Sequence, residues 1–137
     1  MPKIFEFVNK ASLREYKDLP SEVSQQFNVD LNAICQGDKP FSDFKDISSS
    51  VGKGAIELIE NGSPAYRVVY CAKYLDTVFI LHSFTKTTNG VDRQAMGTAQ
   101  KRYKDMMETV REQEKLAKSV VKNIGKVQHK KHTKKKK

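Results

Sequence analysis

The chain has 137 residues, 38% of them apolar, a length and composition that normally build one small domain with a modest core. Its net charge of +9 is uneven: residues 126 to 137 hold seven lysines and no acid, which leaves +2 for the rest. Residues 65 to 104 carry seven basic and two acidic side chains, whereas residues 1 to 64 carry seven basic and ten acidic ones. The basic footprint of a polyanion-binding surface is therefore expected in the later part of the domain. No apolar run of about 18 residues exists and Met1-Pro2-Lys3-Ile4-Phe5-Glu6-Phe7 is not an apolar leader, which argues against a membrane span and a signal peptide. Cys35 and Cys71 lack a Cys-x-x-Cys pairing or a histidine at ligand spacing, so they read as reduced structural thiols. A cytoplasmic protein with no metal and no other cofactor is expected.

Ile4 to Val8 reads as a short strand, with Phe5 and Phe7 on one side, Ile4 and Val8 on the other, and both faces partly covered. Asn9 is a good N-cap for a weakly helical segment reaching Leu19. After Pro20 and a capping Ser21, the spacing of Val23, Phe27, Leu31 and Ile34 predicts one apolar helix stripe, stopped by Gly37. Residues 37 to 54 read as a loop, with Pro40, three serines at 48 to 50, Gly52 and Gly54. Strands are predicted at 55 to 60, 65 to 74 and 77 to 86, the first two joined by a turn at Asn61-Gly62-Ser63-Pro64. The order strand, two helices, three strands, helix predicts an α+β domain with an antiparallel meander.

The last helix starts near Asp92 and meets no proline before about Ile124. Met96, Tyr103, Val110, Ala117 and Ile124 recur at one heptad position, with Ala99, Met106 and Val120 at the other and Gln113 as a break. Such a helix extends about 48 Å, longer than the ~30 Å of a small domain. Its second half therefore projects, folds back, or packs on another chain, self-association included. From Gly125 the lysine-rich tail buries nothing and is expected to be disordered; it is either a solubilising tail or a source of salt-sensitive affinity for nucleic acid.

Residues 66 to 86 carry the most chemistry. Adjacent strands lie about 5 Å apart, so Arg67 near the start of one and His82 and Lys86 near the end of the next can converge on one phosphate if they share a face. RNA cleavage without a metal needs an activated 2′-hydroxyl, a stabilised phosphorane and a protonated leaving oxygen. Arg67 suits the charge on the phosphorane, Lys86 acts as a point charge, and His82 titrates near neutrality as acid or base. His82 and Lys86 share strand parity, but strand register decides whether Arg67 joins them. Lys73, Arg93, Arg102 and Tyr103 are candidate RNA clamps or stacking surfaces. Each has a plainer reading: Arg67 as a salt-bridge partner, His82 as a core histidine beside Leu81 and Phe84, Tyr103 as packing, and Lys86 as edge protection.

At these residues the chain resembles the RelE/ParE superfamily toxins of type II toxin–antitoxin pairs, in their phage-related HigB-like branch. The resemblance rests on Gly54-Ala55-Ile56-Glu57-Leu58, on Tyr66 to Lys73, on Val78 to Lys86, and on Ala99, Arg102 and Tyr103 in the helix that follows. It implies a RelE-like, microbial-ribonuclease-like fold in residues 1 to 104, with a small antiparallel sheet, two N-terminal helices and a long C-terminal helix. Residues 105 to 125 extend that helix and 126 to 137 form the tail. It also implies a toxin that cleaves mRNA on the ribosome and stops translation. Its implied partners are a cognate helix-turn-helix antitoxin and, only through the antitoxin complex, operator DNA. Arg67 matches the family's phosphate-binding arginine, Lys86 its strand-closing cation and His82 a common family position. Ile59 stands where the family often has arginine, Thr87 where a second lysine is usual, and no proline precedes the last helix. A second class stays open: a non-catalytic binding module on the same fold, an inactive relic or an inhibitor of another target such as gyrase.

Overall fold

The computed structural model describes residues 2–133, with side chains described to residue 120. Strand β1 (Ile4–Phe7) is followed by helices α1 (Lys10–Lys17) and α2 (Ser21–Cys35), strands β2 (Asp43–Asp46), β3 (Ala55–Glu60), β4 (Ala65–Cys71) and β5 (Thr77–Lys86), and helix α3 (Arg93–Thr133). The five strands form one sheet in the order β1-β5-β4-β3-β2. Strands β2 to β5 make an antiparallel meander, and β1 joins its far edge parallel to β5. This is an α+β architecture consistent with a small RelE-like fold. The chain divides into two compact units, Met1–Met106 and Met107–Lys137; α3 contributes to both.

Local chemistry accounts for the helix ends. The Asn9 side chain accepts the Ser12 N–H at 2.8 Å and Asp92 accepts the Ala95 N–H at 3.0 Å, so both N-termini have the caps the sequence suggests. The α2 terminus differs: Ser21 is its first helical residue, Pro20 occupies the cap, and no side chain caps it. Gly37, at φ +89°, ends α2 as its N–H donates to the Ile34 carbonyl. Helix α3 is assigned to Thr133, past the Ile124 end read from the sequence, and the lysines at 134 to 137 lie outside the described residues.

The expected α2 stripe is buried, with Phe27 and Leu31 fully enclosed. Together with Tyr16, Leu19 and Val23 it packs on one face of the sheet, formed by Leu58, Val68, Tyr70, Val78 and Ile80. Strand β1 departs from expectation: as the outermost strand it leaves Ile4 and Phe5 exposed, and only Phe7 turns partly inward.

The segment read as a loop contains β2. Asp43-Phe44-Lys45-Asp46 has no apolar alternation and Phe44 alone as a strand-forming residue, yet it pairs with Ile56 to Ile59 of β3. Charged side chains are what a natural edge strand carries, which hides it from pattern reading. Asp30 anchors its entry. Fully buried in α2, its carboxylate accepts the Phe41 and Ser42 N–H groups at 2.8 and 3.0 Å and the Ser42 hydroxyl at 2.5 Å. Asp30 and burial together raise the Tyr70 hydroxyl to about 12, burial being the larger cause. Asp30→Ala is expected to cost about 3 kcal/mol in urea unfolding because charge-assisted bonds are lost, and Asp30→Asn, which keeps one acceptor, distinctly less. Equal midpoints for both variants and the parent would show that the β2 entry is held by other contacts.

Candidate active site

The pairing of β4 with β5 positions the candidate site. Val69 faces His82 and Tyr70 faces Ile80, so Leu81 is the extra residue of a β-bulge. The bulge reverses the side-chain parity of β5. Ile80 shares the helix-packed face with Tyr70, whereas His82, Phe84 and Lys86 share the opposite face with Val69, Arg67 and Ala65. Glu57 lies beside Val69 on β3, and Lys45 lies beside Glu57 on β2. Register thus brings Arg67 and Lys86 to one face and adds Glu57 and Lys45, which the sequence reading did not single out.

These side chains open on a cavity of about 400 Å³ lined by Lys45, Glu57, Arg67, Lys86, Asp92 and Met96 among others. Arg67 is 8% exposed and rigidly held. Its Nη1 donates to the Glu60 and Tyr66 carbonyls, both at 3.0 Å, and its Nη2 to Asn61 Oδ1 at 3.3 Å. Its Nε is buried with no hydrogen-bond partner among the described residues and lies 4.0 Å from Glu57 Oε1. Burial pushes the Glu57 carboxyl above the usual carboxylate range, more than Arg67, Lys45 and Lys86 pull it down. The Lys86 ammonium donates to the Thr88 carbonyl at 2.6 Å and to that of Gly90, tying β5 to the turn before α3. A raised carboxyl beside a fixed guanidinium with an unused donor is an arrangement able to exchange a proton and hold an anion.

His82 sits elsewhere. It borders a separate cavity of about 240 Å³ with Phe84, Thr85, Thr87, Asp92 and Thr98, and its ring stacks on Phe84 at 4.9 Å. Its Nδ1 lies 2.8 Å from Glu15 Oε1 and 3.3 Å from Arg102 Nη1; an ionised carboxylate only accepts, so the bond to Glu15 needs the proton on Nδ1. Arg102 grips the same carboxylate with Nη1 to Oε1 at 2.6 Å and Nη2 to Oε2 at 2.8 Å. The cause of this cluster is the short β1. It covers only Thr77 to Ile80, whose last carbonyl accepts both the Val8 N–H and the Ser12 hydroxyl, and the edge of β5 beyond is closed by side chains: Arg102 Nη1 donates to the Leu81 carbonyl and the Ser83 N–H to Glu15. Arg102 is therefore engaged in closing the sheet edge.

The other candidates scatter. Lys73 borders a cavity on the α2 side with Ile34, Phe44, Ile56 and Tyr70. Arg93 is exposed at the first position of α3. Tyr103 donates its hydroxyl to the Lys53 carbonyl at 2.7 Å and lays its ring against Gly52, where a Cβ would come within 2.4 Å of it. Among the described residues no three His, Cys, Asp or Glu side chains are grouped to hold a metal ion, and no helix is long and apolar enough to cross a membrane. Cys35 and Cys71 are buried and free, and burial raises both thiols. Glu57 had a readable signal, an acid inside the apolar run Ala55 to Ile59. Lys45 had none, because its strand was not visible, and Glu15 reads as an ordinary acid on a weak helix.

The Glu15 cluster sets the response to acid. Burial holds the His82 imidazole below 6.5 against the opposing pull of Glu15. Burial alone would raise Glu15, but Arg102 and then His82 bring it below 4.5. Both folded values are depressed, so both contributions are present above the unfolded values and are lost as pH falls through the folded ones. The urea midpoint is expected to fall from pH 6.5 downward and further below pH 4.5. Glu15→Gln should be destabilised already at pH 7 and flatter below 4.5; a parent midpoint constant from pH 7 to 4 would refute this account.

A model of the family described as phage derived protein Gp49-like (DUF891) matches residues 14–104, a stretch containing every cavity residue named above. No curated protein and no solved structure matches the chain. The matched family is associated with RelE-like toxins of toxin–antitoxin pairs. With the match spanning most of the chain and centred on the sheet that carries the cavity, this protein belongs to the Gp49-like family of phage-derived proteins.

Proposed function

We propose that this protein is the toxin of a type II toxin–antitoxin pair, of the HigB-like branch, and acts as a metal-independent endonuclease on mRNA bound to the ribosome. The observation that carries this reading is the facing of Glu57 and Arg67 across 4.0 Å in a cavity that also receives Lys45 and Lys86. In this mechanism Glu57 takes the proton of a ribose 2′-hydroxyl, whose oxygen attacks the adjacent phosphorus. The Arg67 guanidinium, as a fixed positive charge lining the cavity, and the two ammonium groups stabilise the negative charge that builds on the phosphoryl oxygens. The bond from phosphorus to the 5′-oxygen breaks, and that oxygen takes a proton from a cavity ammonium. The products are a 2′,3′-cyclic phosphate and a 5′-hydroxyl. His82 acts as a positioning residue, holding the β5 edge through Glu15. Lys45 supplies a cation in a site where Ile59 and Thr87 stand at positions often basic in RelE-like toxins. The antitoxin, a helix-turn-helix protein in this reading, blocks the site, and operator DNA is met only through the pair.

A second reading, a non-catalytic module on the same fold, is favoured by one observation. The Nη atoms of Arg67 and the ammonium of Lys86 already donate to the protein's own carbonyls and to Asn61. The two readings separate on Glu57. Because burial raises its pKa, the ionised form costs stability as pH rises, so Glu57→Gln is expected to fold at least as well as the parent at pH 7. Under the nuclease reading it loses roughly 10²- to 10⁴-fold in cleavage. The parent's rate should also fall as pH drops through a value above 4.5, an acid limb absent from the variant. Induced expression with mapping of mRNA 5′ ends, comparing parent, Glu57→Gln and Arg67→Ala, is the test. Growth arrest without new ends, equal in all three, would establish the module instead.

A further inference from the structure

The second unit, Met107–Lys137, orders its charge along the sequence. After Glu114 there is no acid in the chain. Arg111, Lys115 and Lys118 are exposed on α3 at spacings of four and three, and the sequence continues the same spacing at Lys122, Lys126 and Lys130. Residues three and four apart lie on one face of a helix. Among the described side chains three cations thus recur once per turn, and the sequence repeats a lysine every four residues after them.

The pattern works against the helix that displays it. Like charges at three or four residues destabilise a helix by about 0.2–0.5 kcal/mol per pair, and a merely solubilising face relieves this by interleaving acids. Glu108, Glu112 and Glu114 do so before Lys115; nothing does so afterwards. A line of cations about one turn apart with no compensating acid matches a regularly spaced polyanion, whose phosphates replace the missing counter-charges. The exposed apolar residues Leu116 and Val120 belong to other positions of the helix, offset from this line.

We propose that residues 111 to 130 form a second nucleic-acid site, a helical basic stripe that binds the sugar–phosphate backbone of RNA or DNA independently of base sequence and of the Arg67 cavity. The choice of polyanion stands on the spacing alone, so the site does not depend on the nuclease reading. Within that reading it would hold the protein on structured RNA while the cavity acts.

The test uses the full chain carrying Arg67→Ala, so that no RNA is cut, and reads fluorescence anisotropy on short RNA and DNA duplexes against salt. One variant adds Lys115→Gln, Lys118→Gln, Lys122→Gln and Lys126→Gln. A control of equal net charge adds Lys10→Gln, Arg14→Gln, Lys17→Gln and Lys39→Gln, all exposed positions of the first unit. The stripe variant is expected to weaken binding at least roughly ten-fold near 0.1 M salt and to lower the log–log salt slope by about 3 to 4, since each phosphate contact contributes about 0.9. The control should change either quantity little. Circular dichroism should also gain helix when duplex is added to the chain with an intact stripe. RNA preferred over DNA would name structured RNA as the source, and equal binding would name the shared backbone. Equal losses in both variants would reduce the effect to net charge and overturn the site, as would unchanged binding by the stripe variant. Tighter binding to phosphatidylserine vesicles than to either duplex would overturn it in favour of a membrane surface.

Discussion

The bulge at Leu81 is the feature on which the site depends. A strand of uninterrupted alternation would keep Ile80, His82 and Lys86 on one face. Tyr70 pairs with Ile80 in the helix-packed core, so the two catalytic candidates of β5 would then turn toward α1 and α2 and away from Arg67. One additional residue solves two problems at once. It leaves the first half of β5 free to bury Val78 and Ile80 under the helices, and it turns the second half so that Lys86 lines the same cavity as Arg67.

The same strand explains the Glu15 cluster. β5 has ten residues and its outer neighbour β1 only four, so part of its edge lacks a strand partner. Glu15 and Arg102 supply the missing acceptor and donor from two different helices. Two residues far apart in sequence are thereby committed to stability, and their ionic pairing makes that stability sensitive to acid. His82 is drawn into this arrangement, which explains how a histidine four residues before Lys86 on the same strand face lies outside the cavity that Lys86 lines.

Stability and chemistry pull in opposite directions at Glu57. Burying a carboxyl on the sheet face raises its pKa and costs folding free energy once it ionises, a cost that packing alone would remove by choosing an apolar residue. Its neighbour Arg67 is buried too, with one donor unused. Two such residues side by side on adjacent strands are expensive to keep in a small domain unless the cavity is used. The sequence after Glu114 carries a corresponding imbalance, lysines with no interleaved acid.

Much of this was legible in the chain. Helix α2 follows from the spacing of Val23, Phe27, Leu31 and Ile34, and β3 to β5 from their apolar runs and turn residues, because burial of a regular face writes its period into the sequence. The caps at Asn9 and Asp92 are equally local, and so is the candidacy of Arg67 and Lys86, since residue type sets which groups can bind an anion. Strand β2 was not legible, because an exposed edge leaves no apolar period, and with it Lys45 went unseen. Nor could the sequence show that β1 pairs parallel to β5, that Arg102 closes a sheet edge, or that Glu57 lies diagonally across from Arg67 at 4.0 Å. Those are long-range pairings, decided by register and by which backbone groups remain unsatisfied once the sheet is assembled. Local composition determines which elements and which chemical groups are present; only the tertiary structure decides which of them meet.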